Sequence, residues 1–254
     1  MNNISSISNT GKYDGQLFIL FTSGISSENK AVVIFNCSSS ENHISSLHNQ
    51  YSSNNLTKIE LHSAGISSNI SNGNISDSLS SYNQIESVFT SEYSSCKSYS
   101  SAVVSTQYNT SISKTNSTNC NVRTSSNSNS SVIGEFYASG ISSVSFDLSS
   151  ISHSFCSNSS ISSIGNVSVS NIYSGGLIAL QMSNSSLSFS NSHGNTIFSL
   201  GNSSYSGGIV AYQEKNSHVL SSLSSITNNI YSSNHSGYCA GYQGGSIEVF
   251  FYFY

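Results

Sequence analysis

From Ser185 to Ser192 the chain reads SSLSFSNS, with Leu187 and Phe189 alternating with serine. A period of two sends neighbouring side chains to opposite faces, which is the pattern of a half-buried strand. Comparable short apolar segments follow in NTIFSL (195–200), HVLSSL (218–223) and NNIYSS (228–233), each bounded by Asn, Ser or Gly. Strand length and strand punctuation coincide here. With β-branched and aromatic residues at the apolar positions and no charged pairs four apart, helix is a poor fit anywhere.

A longer rhythm lies over this one. YSGGLIALQ (173–181) returns as YSGGIVAYQ (205–213) and again as SGYCAGYQ (236–243). A fainter version is SSAVVSTQ (100–107), and fainter ones begin at Ala138, Ser63 and Thr22. The marks fall near positions 23, 63, 100, 139, 174, 206 and 236, a spacing in the range of solenoids, propellers and arrays. Each repeat offers about three short strands. The expected fold is therefore all-β: a single-stranded parallel β-helix, or β-solenoid, of about seven irregular coils. It forms one continuous domain over 1–254, with strong repeats in 173–254 and weaker, longer ones in 22–172.

Stacking at about 4.8 Å per coil gives a rod of roughly 35 Å and puts like residues on like. Leu177, Ile209 and Cys239 are expected above one another. Gly175, Gly176, Gly207, Gly208 and Gly237 are expected at corners, where φ is positive or a neighbouring backbone comes close. Tyr212 and Tyr242 share a position in their repeats, forming either a ridge for stacking on sugar rings or a pair packed under a neighbouring loop.

The phrases SGGLIALQ and SGGIVAYQ resemble the GLUG motif, whose pattern runs Gly-Gly-Leu-Val-Gly-Tyr-Asn before a polar turn and a β-branched strand. Gly176, Leu177, Ile178 and Ala179 match its first half, as do Gly208, Ile209, Val210 and Ala211, and Tyr212 and Tyr242 match its aromatic. The chain departs from the pattern with Ala for the second-half Gly, except at Gly241, and with Gln for Asn. The resemblance covers about residues 173–254. It implies a β-solenoid array of a surface or secreted protein with an adhesin-like role, and it carries no catalytic residue.

Composition fits stacking. Charged residues are 7% of the chain, against about a quarter in ordinary soluble domains, and Ser and Asn take their place. Like charges stacked coil on coil would repel, whereas like polar side chains can form ladders. Such a composition also invites a disordered reading, but fifteen Tyr, twelve Phe and no Pro argue against it. A chain without Pro can donate from every backbone N–H, as continuous ladders require.

With one arginine, Arg123, six lysines and a net charge of -4, the chain has no basic stripe for nucleic acid. Its apolar runs are far shorter than the roughly 18 residues of a transmembrane helix. The start, MNNISSISNTGKYDGQ, shows no secretory leader, so the surface location implied by the resemblance stands beside a cytoplasmic alternative. The aromatic ending, Val249–Tyr254, is read as a terminal strand or a truncated coil, with a membrane or partner anchor as the alternative. Asparagine sequons, for example at Asn36, Asn55, Asn109, Asn158, Asn184, Asn202 and Asn234, exceed by too little the number that so much Ser and Thr would produce by chance to decide anything.

The five cysteines, Cys37, Cys96, Cys120, Cys156 and Cys239, read as small core residues; the alternative is a bridge between Cys120 and Cys156, about one repeat apart. The acids are scattered, and Glu214 and Glu248, each just past a copy of the phrase, come nearest to a repeating pair. They read as solvated corner residues. His43 and His48 are five apart with no third ligand, so no metal and no cofactor is expected. The expected function is non-catalytic: weak, multivalent binding of glycans or other surface proteins. A rod that self-associates through its terminal coils comes second, and a polysaccharide-acting β-helix enzyme third.

Overall fold

A computed structural model describes residues 2–10, 17–50, 58–91, 95–127, 133–165, 169–225 and 227–248. The aromatic ending and Asn55 lie outside them. The described chain is all β and winds as a parallel solenoid. Each coil carries five strands rather than three. One coil runs through Ser160–Gly165, Val169–Gly175, Ile178–Gln181, Ser186–Ser188 and Asn191–His193, after which Thr196–Leu200 returns beside Ser160–Gly165. These five strands belong to five parallel sheets, called A to E in that order. Sheets A to D have seven strands each and sheet E six, so the described strands fall one short of seven full coils.

The faint repeats are true coils. Ser63 pairs with Ser100, Ser100 with Ala138, Ala138 with Ser174, and Ser174 with Ser206. Leu177 and Ile209 are in register with Cys239 through Leu177 N–H to Ile209 O and Ile209 N–H to Cys239 O. Above them in the same column lie Ile141, Val103 and Ile66.

Two extra strands per coil arise from corners that the hydrophobic pattern does not reveal. Asn72, Asp77 and Tyr82 stand five residues apart with φ of 51 to 53°, and Asn109, Lys114 and Asn119 follow suit one coil on. Each is a left-handed corner followed by one small residue and then a strand, of three residues after Asn72, Asp77, Asn109 and Lys114 and longer where Tyr82 and Asn119 lead back into sheet A. Phe189 is such a corner, at φ 48° and exposed, so SSLSFSNS is two strands with a bend between them rather than one alternating strand. The phrase itself splits likewise into a sheet B strand and a sheet C strand, joined through Gly176 and Leu177.

The small residue after each corner explains the abundance of Ser, Thr and Asn. At a corner the backbone N–H points away from the strand ladder and needs an acceptor. The side chain one coil on provides it: Thr115 N–H donates to Ser154 Oγ (3.3 Å), Ser154 N–H to Ser190 Oγ (3.1 Å) and Ser190 N–H to Ser222 Oγ (3.2 Å). At the corner into sheet A amides also serve, with Asn42 N–H on Asn83 Oδ1 (2.9 Å) and Asn195 N–H on Asn228 Oδ1 (2.8 Å), while Cys120 N–H uses Ser159 Oγ (3.1 Å).

The interior is a stack of apolar columns. Ile75, Ile112, Ile151 and Leu187 from sheet D face Ile85, Val122, Ile161 and Ile197 from sheet A, all fully buried. Each contributes on the order of 1.5–3 kcal/mol through burial. Sheet E has no such column, because its inward residues are small: Ser39, Ser80, Cys156, Ser192 and Ser224 press against Gly24, Gly65, Gly140, Gly176 and Gly208, and Ser117 is the sixth. Any Cβ at those glycines would collide with that side chain and with a backbone oxygen of the next coil. Close approach, not positive φ, therefore requires Gly176 and Gly208; among the described residues Gly194 is the one glycine at positive φ. Gly175, Gly207 and Gly237 are likewise crowded by the backbone three residues on.

All five cysteines are free. Cys120 and Cys156 do not bridge because they occupy different columns: Cys156 pairs with Ser117 and Ser192, whereas Cys120 N–H bonds Ser159. Three of the five, Cys96, Cys120 and Cys156, are buried.

Candidate functional site

Sheets B and C meet at a sharp bend, and their outer faces turn toward each other to form a valley along the rod. At its apex Ser68, Ser105 and Ser143 of sheet C donate to sheet B carbonyls, Thr22 O at 2.6 Å, Ser63 O at 2.7 Å and Ser100 O at 2.7 Å. The next two residues in that column are Ala179 and Ala211, which pack against tyrosine rings instead. The alanines of the repeated phrase thus mark where the valley changes from hydroxyl contacts to aromatic ones.

The sheet B wall carries a continuous ring stack. Phe21, His62, Tyr99, Tyr137, Tyr173, Tyr205 and His235 follow one another coil by coil, with centroids 4.6 to 5.4 Å apart. The strand register sets this distance, since in-register side chains on a parallel sheet repeat at the strand spacing. Burial raises the hydroxyl pKa of Tyr99, Tyr137 and Tyr173, with the nearby carboxylates of Glu60 or Glu135 adding to it, so they remain donors. Tyr137 Oη donates to Glu135 at 3.0 Å.

On the opposite wall Val144, Leu180, Tyr212 and Tyr242 succeed one another in sheet C. Tyr212 and Tyr242 stack at 4.5 Å, and Tyr212 meets Tyr173 and Tyr205 edge-on at 5.6 and 5.3 Å. The two expected ridge residues therefore come together, packed on other tyrosines rather than under a loop. Tyr212 is half-buried and Tyr242 is 45% exposed. Together with Ser183, Glu214, Lys215 and Gly244 they border an open hollow of about 290 Å³. Glu214 accepts from Ser183 N and Oγ, both at 3.3 Å, which fixes its carboxylate at the rim. Burial, and then Tyr242 and Tyr205, raise the Tyr212 pKa, so its phenol also stays protonated. Stacking covers ring faces within the pair, so Tyr212 offers its edge and hydroxyl to a ligand.

The last residue of the phrase has a structural role. Gln181 and Gln213 are fully buried, and each Nε2 donates to two carbonyls, Ser185 and His218 for the first, Ser217 and Ser246 for the second. They tie the end of sheet C to the start of sheet D in the same coil and in the next.

The acids do not stay scattered. Lys97 pairs in register with Glu60 on one side and Glu135 on the other, and Lys97 Nζ lies 2.7 Å from Glu135. This row runs beside the ring stack, next to a second hollow of about 260 Å³ reaching Lys58, Ile59 and Cys96. The one hint in the sequence was the coil offset: 60, 97 and 135 step by the same interval as the repeats. Charges of alternating sign stabilise one another across coils, whereas like charges would repel. His43 and His48 lie on opposite faces of their strand: His43 reaches Glu86 at 3.1 Å, and His48 is buried on Phe89. Among the described residues no three His, Cys, Asp or Glu side chains cluster as a metal site. The side chain of Glu248 lies outside the described residues.

No described helix is long and apolar enough to cross a membrane. Compared with known protein families, known proteins and solved structures, the chain matches none.

Proposed function

We propose that the chain is a non-catalytic β-solenoid of the cell surface or the secreted fraction, adhesin-like, that binds polar polymers weakly and multivalently along the mouth of the valley. The observation that carries this reading is the outward Tyr212 and Tyr242 pair, set beside Glu214 and Lys215 at an open hollow. Phenol hydroxyls, a carboxylate and an ammonium at one rim suit the many hydroxyls of a glycan or the mixed polar surface of a protein. The ridge stands on a stiff ladder, so little ordering opposes binding. The likeness of the repeated phrase to the GLUG motif supports the same reading.

The test is a glycan and extracellular-matrix array probed with the rod displayed in many copies, then repeated with the Tyr242→Ala and Tyr212→Ser variants. Binding to a defined polymer that falls at least tenfold in both variants, with far-ultraviolet circular dichroism unchanged, is the expected result. Equal binding by parent and variants would overturn the site. Location is checked in the native cell: removal of N-linked glycans should shift the gel mobility of a secreted or surface protein.

A further inference from the structure

Seven aromatic rings line the sheet B wall, and the second of them is a histidine. His62 sits between Phe21 at 4.7 Å and Tyr99 at 4.6 Å and is only 5% exposed. Neither ring nitrogen has a hydrogen-bond partner, and the nearest carboxylate oxygen, Glu60 Oε2, stands 3.7 Å from Nε2, beyond ordinary hydrogen-bond reach. A neutral imidazole behaves here as one more flat ring. An imidazolium in the same seat would be a buried charge whose close counter-charge, the Glu60 carboxylate at 3.7 Å, does not offset the burial.

We infer that His62 is a proton-sensitive latch: neutral, it holds the strand Leu17–Ser23 of the first coil on Lys58–Ala64 through the Phe21 stack, and protonation loosens that strand while the coils beyond Tyr99 stay closed. The inference rests on this packing and is independent of any ligand in the valley.

Glu60 on the ring's own strand and Glu28 from Ser26–Lys30 favour the imidazolium, but burial outweighs both and lowers the His62 pKa. Lys58 and Lys97 act on Glu60, whose carboxyl is held below its usual range chiefly by the His62 ring beside it, against a burial penalty. Leu17–Ser23 and Ser67–Ser71 bring no charged residue, and Ser95–Ser101 brings Lys97 with Cys96 and Tyr99.

Because His62 takes a proton less readily when closed than when open, the closed strand has its full stability above about pH 6.5, the value of a free imidazole. It loses stability as pH falls below that toward the lower, closed-state pKa. The Glu60 contribution has the opposite origin: it is complete above about pH 4.5 and fades only below. Of these two groups, only His62 changes the stability of the closed strand between those values, and the His62→Tyr variant separates it from the other histidines.

Hydrogen exchange of the full chain, read by mass spectrometry at pH 7.5 and pH 5.0 and corrected for the intrinsic rate, tests the latch. Protection over 17–30 should fall at least tenfold at pH 5.0 relative to 133–145, and His62→Tyr, which continues the tyrosine column, should abolish that difference. Unchanged protection in the parent, equal loss in all coils, or the same loss in the variant would overturn the inference. Should the variant not fold, the His62 ring resonances of the parent decide: a titration below that of free histidine supports the latch, and one at or above it defeats it.

Discussion

The backbone N–H of Ser159 donates to Oδ1 of Asn195, 2.9 Å away on the following coil. The same amide gives its Nδ2 protons to Cys156 O and Ser192 Oγ, both at 3.0 Å, and its own backbone N–H reaches Asn228 Oδ1. One buried side chain thus satisfies a corner on its own coil and on the coil before it. Asn195→Ala should leave Ser159 N–H and Cys156 O without these partners, at a cost of about 1–3 kcal/mol for each. Urea unfolding should show a lower midpoint with an unchanged slope, and a loss under about 0.5 kcal/mol would refute the ladder as a source of stability.

Gly208 illustrates a different constraint. A Cβ there would strike Ser224 Oγ and the Tyr238 carbonyl, and the carbonyl belongs to a backbone that cannot move without breaking its own ladder. Gly208→Ala should destabilise by about 1–3 kcal/mol or more through overpacking. The double variant Gly208→Ala with Ser224→Gly should recover only part of this, since the clash with Tyr238 O remains. Full recovery in thermal unfolding would show that the side chain alone sets the requirement for glycine.

How much of this was legible in the sequence depends on where the apolar residues sit. The coil period was readable because the phrase ending in Gln181 and Gln213 must reproduce one inward residue, one crowded glycine and one buried amide in each copy. The number of strands per coil was not. Sheet E buries Ser80, Cys156 and Ser192 against glycines, so its strands have no apolar alternation to detect. Phe189 misled in the other sense, since an apolar residue in a period of two turned out to be an exposed left-handed corner. The Tyr212 and Tyr242 pairing followed from the repeat. The stack of which His62 is part did not, because its members change type from Phe to His to Tyr and no constant letter marks the column.

Thiol chemistry should sort the cysteines by burial. Burial pushes the Cys156 thiol up to about 12 and raises Cys96 and Cys120 as well, so at pH 8 these three are protonated and shielded. Iodoacetamide applied to the native chain should label Cys37 first and the half-buried Cys239 more slowly, with the remaining three modified only in denaturant. Raising the pH to 9 should not expose Cys156, because its thiolate forms only near pH 12. Peptide mass spectrometry after a timed quench reads each site, and rapid native labelling of Cys156 would contradict the packed interior. Mild oxidation should likewise give no Cys120 to Cys156 bridge.

Leu148 occupies a left-handed corner at φ 56° with 71% of its surface exposed. Its column neighbours Asn109 and Asn184 adopt the same backbone as asparagine, a residue far better suited to that region than leucine. The Asn109 side chain already donates to Asn72 Oδ1 at 2.7 Å, so the column supports amide to amide bonds. Leu148→Asn removes an unfavourable backbone fit, withdraws an apolar side chain from water and offers a further rung next to the existing one. It should therefore stabilise the rod, by about 1 kcal/mol, the scale of the left-handed penalty for a non-glycine residue. Leu148→Gly should gain less, since the backbone fit improves while the unfolded chain becomes freer and no rung is added. Leu148→Ile, branched at Cβ where the left-handed region tolerates it least, should be the most destabilising of the three. The order Asn above Gly above Leu above Ile in thermal midpoint is the test, and finding Ile equal to or above Asn would mean that the corner backbone does not govern these positions.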